Sequence, residues 1–102
     1  YGDWSSYNYF AMDIYNPEAQ SFDVTLKIAD FQHDLGSNAL DDRFNRRITL
    51  APGWNFVRMP IDEIRTAPVN RVMRMDEISC LELISISLAH PRLIYIDNLR
   101  LE

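Results

Sequence analysis

The sequence predicts an all-β fold, an antiparallel β-sandwich in one domain spanning residues 1–102. Two observations favour it: several segments alternate apolar and polar residues, and turn signals separate them at intervals of about ten residues. No long amphipathic helix pattern lies between these segments, which argues against an α/β fold. With 47% hydrophobic residues, the chain is long enough to bury a core without disulfides. Its single cysteine, Cys80, is interpreted as a small buried hydrophobic residue.

Two strands are predicted in the first third of the chain. Residues 10–15 alternate between apolar and polar side chains, and the turn pair Asn16-Pro17 follows them. Residues 22–29 alternate strictly, with a large apolar side chain at every second position. Both patterns are typical of half-buried antiparallel strands, so we expect Asp13 and Tyr15 on an outer face.

The next two predicted strands, residues 44–50 and 55–60, are separated by a short turn that contains Pro and Gly. Such a turn favours a tight reversal, so the sequence predicts a hairpin in which these two strands pair. The alternation places Arg47, Phe56 and Arg58 on the outer face.

Two side chains of this region need a separate explanation. Arg46 falls on the inward phase of its strand, so we expect it to pair with Asp41 or Asp42 at the rim of the sheet. Trp54 directly follows the Pro-Gly pair. We interpret it as folded over the end of the core rather than as an exposed platform.

The alternation fails between residues 61 and 79, and this stretch predicts one or two short helical turns. Asp62 and Asp76 are the expected N-cap residues. Two further strands follow, at residues 81–88 and 93–101.

The last strand changes its apolar phase around Asp97-Asn98. The change predicts a β-bulge, or alternatively a strand that is covered on both faces. We also expect that one strand is missing at the amino end. The open sheet edge would then pair with a second copy or another domain.

The net charge of −5 is unevenly distributed, with −7 over residues 1–42, +5 over residues 43–74 and −3 over the remainder. Nine of the ten basic residues are Arg. We interpret this basic block as pairing with the acids of the first segment, and the alternative is a face for an acidic ligand. Nucleic acid is a poor partner for an acidic chain, and no apolar stretch predicts a membrane span.

Five segments together resemble the galactose-binding-like jelly roll, a fold used by many bacterial carbohydrate-binding modules. The resemblance implies sugar binding by one domain of a larger bacterial extracytoplasmic protein. It also implies a structural calcium site at Asp97, although the opening segment that would complete the site is absent or short, and no cofactor is required. The resembling segments are Asp3-Trp4-Ser5-Ser6-Tyr7, Met12-Asp13-Ile14-Tyr15-Asn16-Pro17, Asp42-Arg43-Phe44-Asn45, Pro52-Gly53-Trp54-Asn55 and Leu93-Ile94-Tyr95-Ile96-Asp97-Asn98-Leu99-Arg100-Leu101.

Sugars are bound by stacking on aromatic rings and by hydrogen bonds from Asp, Asn, Arg and His. The outer face predicted from alternation and the long polar loop at residues 30–43 supply such groups. If the sheet curves, the outer residues, with Lys27 and Tyr95 among them, would line a shallow groove. The expected ligand-binding residues are Asp13, Tyr15, His33, Asp42, Arg43, Arg47, Phe56 and Arg58.

Two other classes of function stay open. The first is a structural or protein-interaction domain that packs against its neighbours. The second is a hydrolase that uses Asp30, His33 and Asp42, which requires these side chains to converge around a pocket. Asp30, His33 and Asp34 are also the residues of the loop that would ligate a metal.

Overall fold

The computed structural model describes residues 2–35, 42–69, 71–84 and 94–102. Six strands and three short helical segments form the described part of the chain. In chain order they are β1 (Tyr9–Asn16), β2 (Phe22–Asp30), α1 (Phe31–Leu35), β3 (Phe44–Leu50), β4 (Gly53–Pro60), α2 (Ile61–Arg65), a 3₁₀ helix (Met75–Glu77), β5 (Ile78–Ile84) and β6 (Tyr95–Leu101).

The strands form two three-stranded antiparallel sheets, with strand orders β4-β1-β6 and β3-β2-β5. One hydrophobic core draws residues from both sheets, including Ile14 of β1 and Leu26 of β2, which are fully buried. The mostly β, antiparallel character that the sequence predicts is therefore confirmed. Trp4 closes part of the core and stacks on Phe10, with ring centres 5.2 Å apart.

The predicted hairpin of β3 and β4 is wrong. β3 pairs with β2, whereas β4 pairs with β1 in the other sheet. The Pro-Gly turn therefore connects the two sheets across the core, and each strand contributes its apolar side to the shared interior. The predicted inward residues are nevertheless correct, because Leu50 and Val57 are both buried.

Side-chain amides stabilise this connection in place of hairpin hydrogen bonds. Asn55 donates from Nδ2 to the carbonyl groups of Ala51 and Gly53, and its Oδ1 accepts from the Ala51 N–H. Gly53 has a φ of 91°, a left-handed conformation that glycine adopts without strain. Asn16, at the end of β1, donates to the carbonyl of Leu50 and so ties the first sheet to the second.

The predicted helical turns between residues 61 and 79 are confirmed as α2 and the 3₁₀ helix. The predicted N-caps are wrong, since Asp62 and Asp76 lie inside the first turns while Pro60 and Arg74 precede them. The sequence analysis also missed α1, which directly continues β2. Within the described ranges, no helix is long and apolar enough to cross a membrane.

The β-bulge predicted near Asp97-Asn98 is confirmed. Ala11 pairs with Arg100 and Asp13 pairs with Asp97, so β6 holds one more residue than β1 between these two pairs. Asn98 has a φ of 54°, the left-handed conformation that Asn tolerates better than most residues. The predicted last two strands also included residues 85–88 and 93. These residues lie outside the described residues, as does the predicted turn between the two strands.

Candidate functional site

Three aromatic side chains lie side by side on the outer face of the β4-β1-β6 sheet. Tyr15 is paired in register with Trp54 on one neighbouring strand and with Tyr95 on the other. The Tyr15 ring centre lies 5.2 Å from that of Trp54 and 6.1 Å from that of Tyr95. We call these residues the aromatic row. Trp54 is 50% exposed and Tyr95 is similarly exposed, so the row presents ring surface to solvent from a rigid sheet.

A shallow cavity of about 420 Å³ lies against the aromatic row. Its lining includes the three rings and Asp97. The next position along the strands places Phe56 opposite Asp13, and Phe56 is 79% exposed. Apolar ring faces and carboxylate acceptors therefore meet at one place on the outer face.

The positions beyond Phe56 and Asp13 on the same face are closed by ion pairs. Glu102 accepts from Arg58 Nε at 3.1 Å and from Arg100 Nε at 2.9 Å. The Arg58 guanidinium also lies 3.7 Å from the centre of the Tyr9 ring. Ala11, which points outward between the two arginines, is fully buried beneath them.

Four of the predicted ligand-binding residues lie together on this face: Asp13, Tyr15, Phe56 and Arg58. Arg47 and Lys27 lie on the other sheet, so the single groove expected from alternation is wrong. The error follows from the mispaired hairpin, because period-two alternation identifies an outer face but not the sheet to which it belongs.

The preference for Trp54 as a core residue is also wrong, because it is half exposed. The buried tryptophan is Trp4, in the segment that precedes β1. Alternation along β4 explains why Trp54 is exposed. Trp54 occupies every second position with Phe56 and Arg58, so all three side chains point to the outer face.

His33 and Asp42, two further predicted site residues, lie in another part of the molecule, together with Arg71 and Asp30. Arg71 forms ion pairs with Asp30 at 2.7 Å and with Asp42 at 2.8 Å. His33 Nδ1 lies 3.2 Å from the Asp42 carboxylate. We call Arg71, Asp30, Asp42 and His33 the Arg71 cluster. Asp30, His33 and Asp42 lie close together, as the hydrolase alternative requires, but the sequence did not identify Arg71, which lies 41 residues after Asp30.

Every oxygen of the buried Asp30 carboxylate is occupied. Oδ1 accepts from Arg71 Nη2 and the His33 N–H, and Oδ2 accepts from Arg71 Nη1 and the Arg74 N–H. Burial alone would raise the pKa of Asp30, but these hydrogen bonds outweigh it and lower the pKa to about 2. A carboxylate so fully bonded is a poor proton acceptor, which favours a structural role.

The same guanidinium group holds Asp42, and Asp42 in turn contacts His33. The hydrogen bond from Arg71 lowers the pKa of Asp42, despite some desolvation, and His33 lowers it further. His33 Nδ1 faces two acceptors, the carboxylate and the carbonyl of Asp42, so Nδ1 carries the proton. Nε2 is buried, with no hydrogen-bond partner among the described residues.

Most arginines of the basic block, residues 43–74, form ion pairs, but the predicted pairing with the acids of residues 1–42 is mostly wrong. Among the described residues only Arg71 has such partners. The other pairs are Arg46–Glu63, Arg58–Glu102, Arg65–Asp62 and Arg74–Asp76.

The predicted pairing of Arg46 with Asp42 is wrong, because Arg46 pairs with Glu63 at 3.2 Å and Asp42 pairs with Arg71. Asp41 lies outside the described residues. Arg43, a predicted ligand-binding residue, donates from Nε to Asn45 Oδ1 away from the aromatic row. Among the described residues, the two arginines on the outer face of the β4-β1-β6 sheet, Arg58 and Arg100, both pair with Glu102, which argues against an acidic ligand there.

No group of three or more His, Cys, Asp or Glu side chains that could hold a metal occurs in the described ranges. Asp97, the predicted calcium position, accepts from the Asn98 N–H and lines the cavity beside the aromatic row. The Asp34 side chain is outside the described residues. Cys80 is half buried, with Sγ 3.2 Å from Glu82 Oε1.

A second opening lies between the sheets at their β5 and β6 edges, with a volume of about 330 Å³. Its lining is mostly apolar and includes Leu83 and Ile94, together with Ile96 and Leu99, which are half exposed.

The described chain is thus a two-sheet antiparallel β protein with an exposed aromatic row on one outer face and the Arg71 ion-pair cluster at the side of the other sheet. No known family, curated protein or solved structure matches this chain.

Proposed function

We propose that this chain is a non-catalytic carbohydrate-binding module of the jelly-roll type, and that it binds an oligosaccharide on the outer face of the β4-β1-β6 sheet. The observation that carries the proposal is the aromatic row. Three rings, two of them about half exposed, lie at adjacent register positions on three neighbouring strands.

An aromatic side chain that stays exposed does not gain the hydrophobic stabilisation of burial, which is about 1.5–3 kcal/mol for a large apolar side chain. Single exposed aromatics are common, but a contiguous group is typical of a binding surface. The C–H faces of a sugar ring would cover Trp54 and Tyr95, while Asp13 and Asp97 would accept hydrogen bonds from hydroxyl groups.

Affinity gel electrophoresis against immobilised polysaccharides and a glycan array test this proposal. We expect Trp54→Ala to weaken binding by about tenfold, since a ring contact contributes about 1 kcal/mol or more. Tyr15→Ala is expected to weaken it similarly. Because Trp54 is half exposed, its replacement should leave the midpoint of urea unfolding almost unchanged.

Phe31→Ala is the matched control, because Phe31 is also 50% exposed but lies outside the row at the start of α1. Arg47→Ala tests the outer face of the other sheet. Both variants should bind like the wild-type chain. If no polysaccharide retards the chain, or if Trp54→Ala and Tyr15→Ala are silent, the proposal is wrong. A protein-interaction domain, which the half-exposed Ile96 and Leu99 favour, would then replace it.

A further inference from the structure

The rings of the aromatic row are inclined to one another. The Tyr15 ring plane makes an angle of 62° with Trp54 and 50° with Tyr95. A flat sugar ring contacts one such ring fully, but it does not lie flat on all three. The three rings line one side of the same shallow cavity. An exposed aromatic face attracts a cation through the ring quadrupole.

A carboxylate lies at the edge of the same cavity. Asp97 lines it, and Asp97 Oδ1 accepts only from the N–H of the next residue, Asn98. No ion pair of Asp97 occurs among the residues that the structure describes. Its negative charge is therefore available to a ligand that contacts the rings.

The cations on this face are already neutralised. Arg58 and Arg100 both bind Glu102, and Arg100 also lies 3.7 Å from Asp13. A ligand in the cavity would therefore meet ring faces and a free carboxylate. An anionic sugar would be repelled at this position, whereas a cation would be attracted by both groups.

We infer that the aromatic row and Asp97 together bind the ammonium group of a cationic saccharide, that is, one with unacetylated amino sugars. The inference rests on the proposed function and specifies its ligand class. Trp54 and Tyr95 are each about half exposed, so an ammonium group can lie over an exposed ring face within about 6 Å of its centre, the range of a cation–π contact. The Asp97 carboxylate would supply the ion pair.

Isothermal titration with three tetrasaccharides tests the inference: the fully deacetylated glucosamine tetramer, the N-acetylglucosamine tetramer and cellotetraose. Titrations at pH 6 keep the amino groups protonated. We expect the glucosamine tetramer to bind about tenfold more tightly than either uncharged tetramer. Asp97→Asn should weaken only the glucosamine tetramer, by about threefold, because an exposed ion pair is lost.

Asp23→Asn is the matched control, because the net charge of −5 attracts any cation non-specifically. Asp23 is an exposed carboxylate on the other sheet, where it accepts from Thr49, and the amide retains an acceptor. If Asp97→Asn and Asp23→Asn lower the affinity for the glucosamine tetramer equally, the inference is wrong. A preference for an uncharged tetramer would overturn it and leave the proposed function intact. If none of the three binds, the inference is wrong, and the polysaccharide and glycan-array tests decide the proposed function separately.

Discussion

The aromatic row and the Arg71 cluster differ in how fully their binding groups are used. In the row, ring surface and the Asp97 carboxylate face solvent, with few partners in the described structure. In the cluster, Asp30 is fully buried and both of its oxygens are occupied by protein donors. Both regions hold residues that the sequence marked as a site. Residue type identified candidate groups in both regions, but only the row exposes ring surface and a carboxylate that a ligand could contact.

The largest expected effect follows from removing the cation of the cluster. Arg71→Leu leaves the buried Asp30 charge with only two backbone donors, and we expect the free energy of unfolding to fall by about 3 kcal/mol. Urea unfolding measures this change. Arg74→Leu is the control, because its half-exposed guanidinium pairs with Asp76 at the surface and its loss should change the free energy of unfolding much less than the loss of Arg71.

A structural role for the cluster also requires that Arg71→Leu leave sugar binding unchanged under conditions where the chain is folded. A large loss of affinity in this variant, with stability retained, would show that the cluster takes part in ligand binding. The two regions would then no longer be functionally separate.

Acid should destabilise the folded chain through the Arg71 cluster. The pKa of Asp30 is about 2 in the folded chain, below its ordinary value of 3.8. Its contribution, about 2 kcal/mol, is therefore fully present above about pH 4 and is lost as the pH falls towards 2. Unfolding free energies measured between pH 5 and pH 2 check this. The pH dependence should be smaller in Asp30→Asn, and an unchanged slope would contradict the assignment.

The smallest expected effect concerns the bulge that positions the row. Asn98→Ala should cost about 1 kcal/mol of stability, because alanine is strained at a φ of 54°. Asn98→Gly removes the same side chain, including its contact with Asp13, but tolerates this φ. Comparing the two unfolding midpoints isolates the backbone strain. Equal midpoints for Ala and Gly would show that the bulge does not depend on this conformation.

The sequence predicted local structure well and sheet pairing poorly. Alternation correctly identified the inward residues of β2 and β4, and the phase change identified the bulge at Asp97-Asn98. Both signals are local, because they depend only on which side of a strand a residue occupies. The Pro-Gly turn between β3 and β4 contains no information on whether the flanking strands pair or cross the core, so the predicted hairpin was wrong.

For the candidate site too, the sequence predicted which residues point outward but not which sheet they belong to. Asp13, Tyr15, Phe56 and Arg58 were found by alternation, but Arg47 was assigned to their face because the sheets were not separated. Arg71 could not be identified as the partner of Asp30, since its segment has no periodic pattern and 41 residues separate the two.

The connection of β3 to β4 across the core also affects how the row is assembled. Its three residues come from the first, fourth and last strands, so their contacts join parts of the chain about 40 and 80 residues apart. No single hairpin contains all three residues of the row. Its formation requires contacts between distant parts of the chain, and such long-range contacts form slowly. A ligand that binds the row recognises only the completed fold, and it therefore stabilises the native chain against every partly folded state at once.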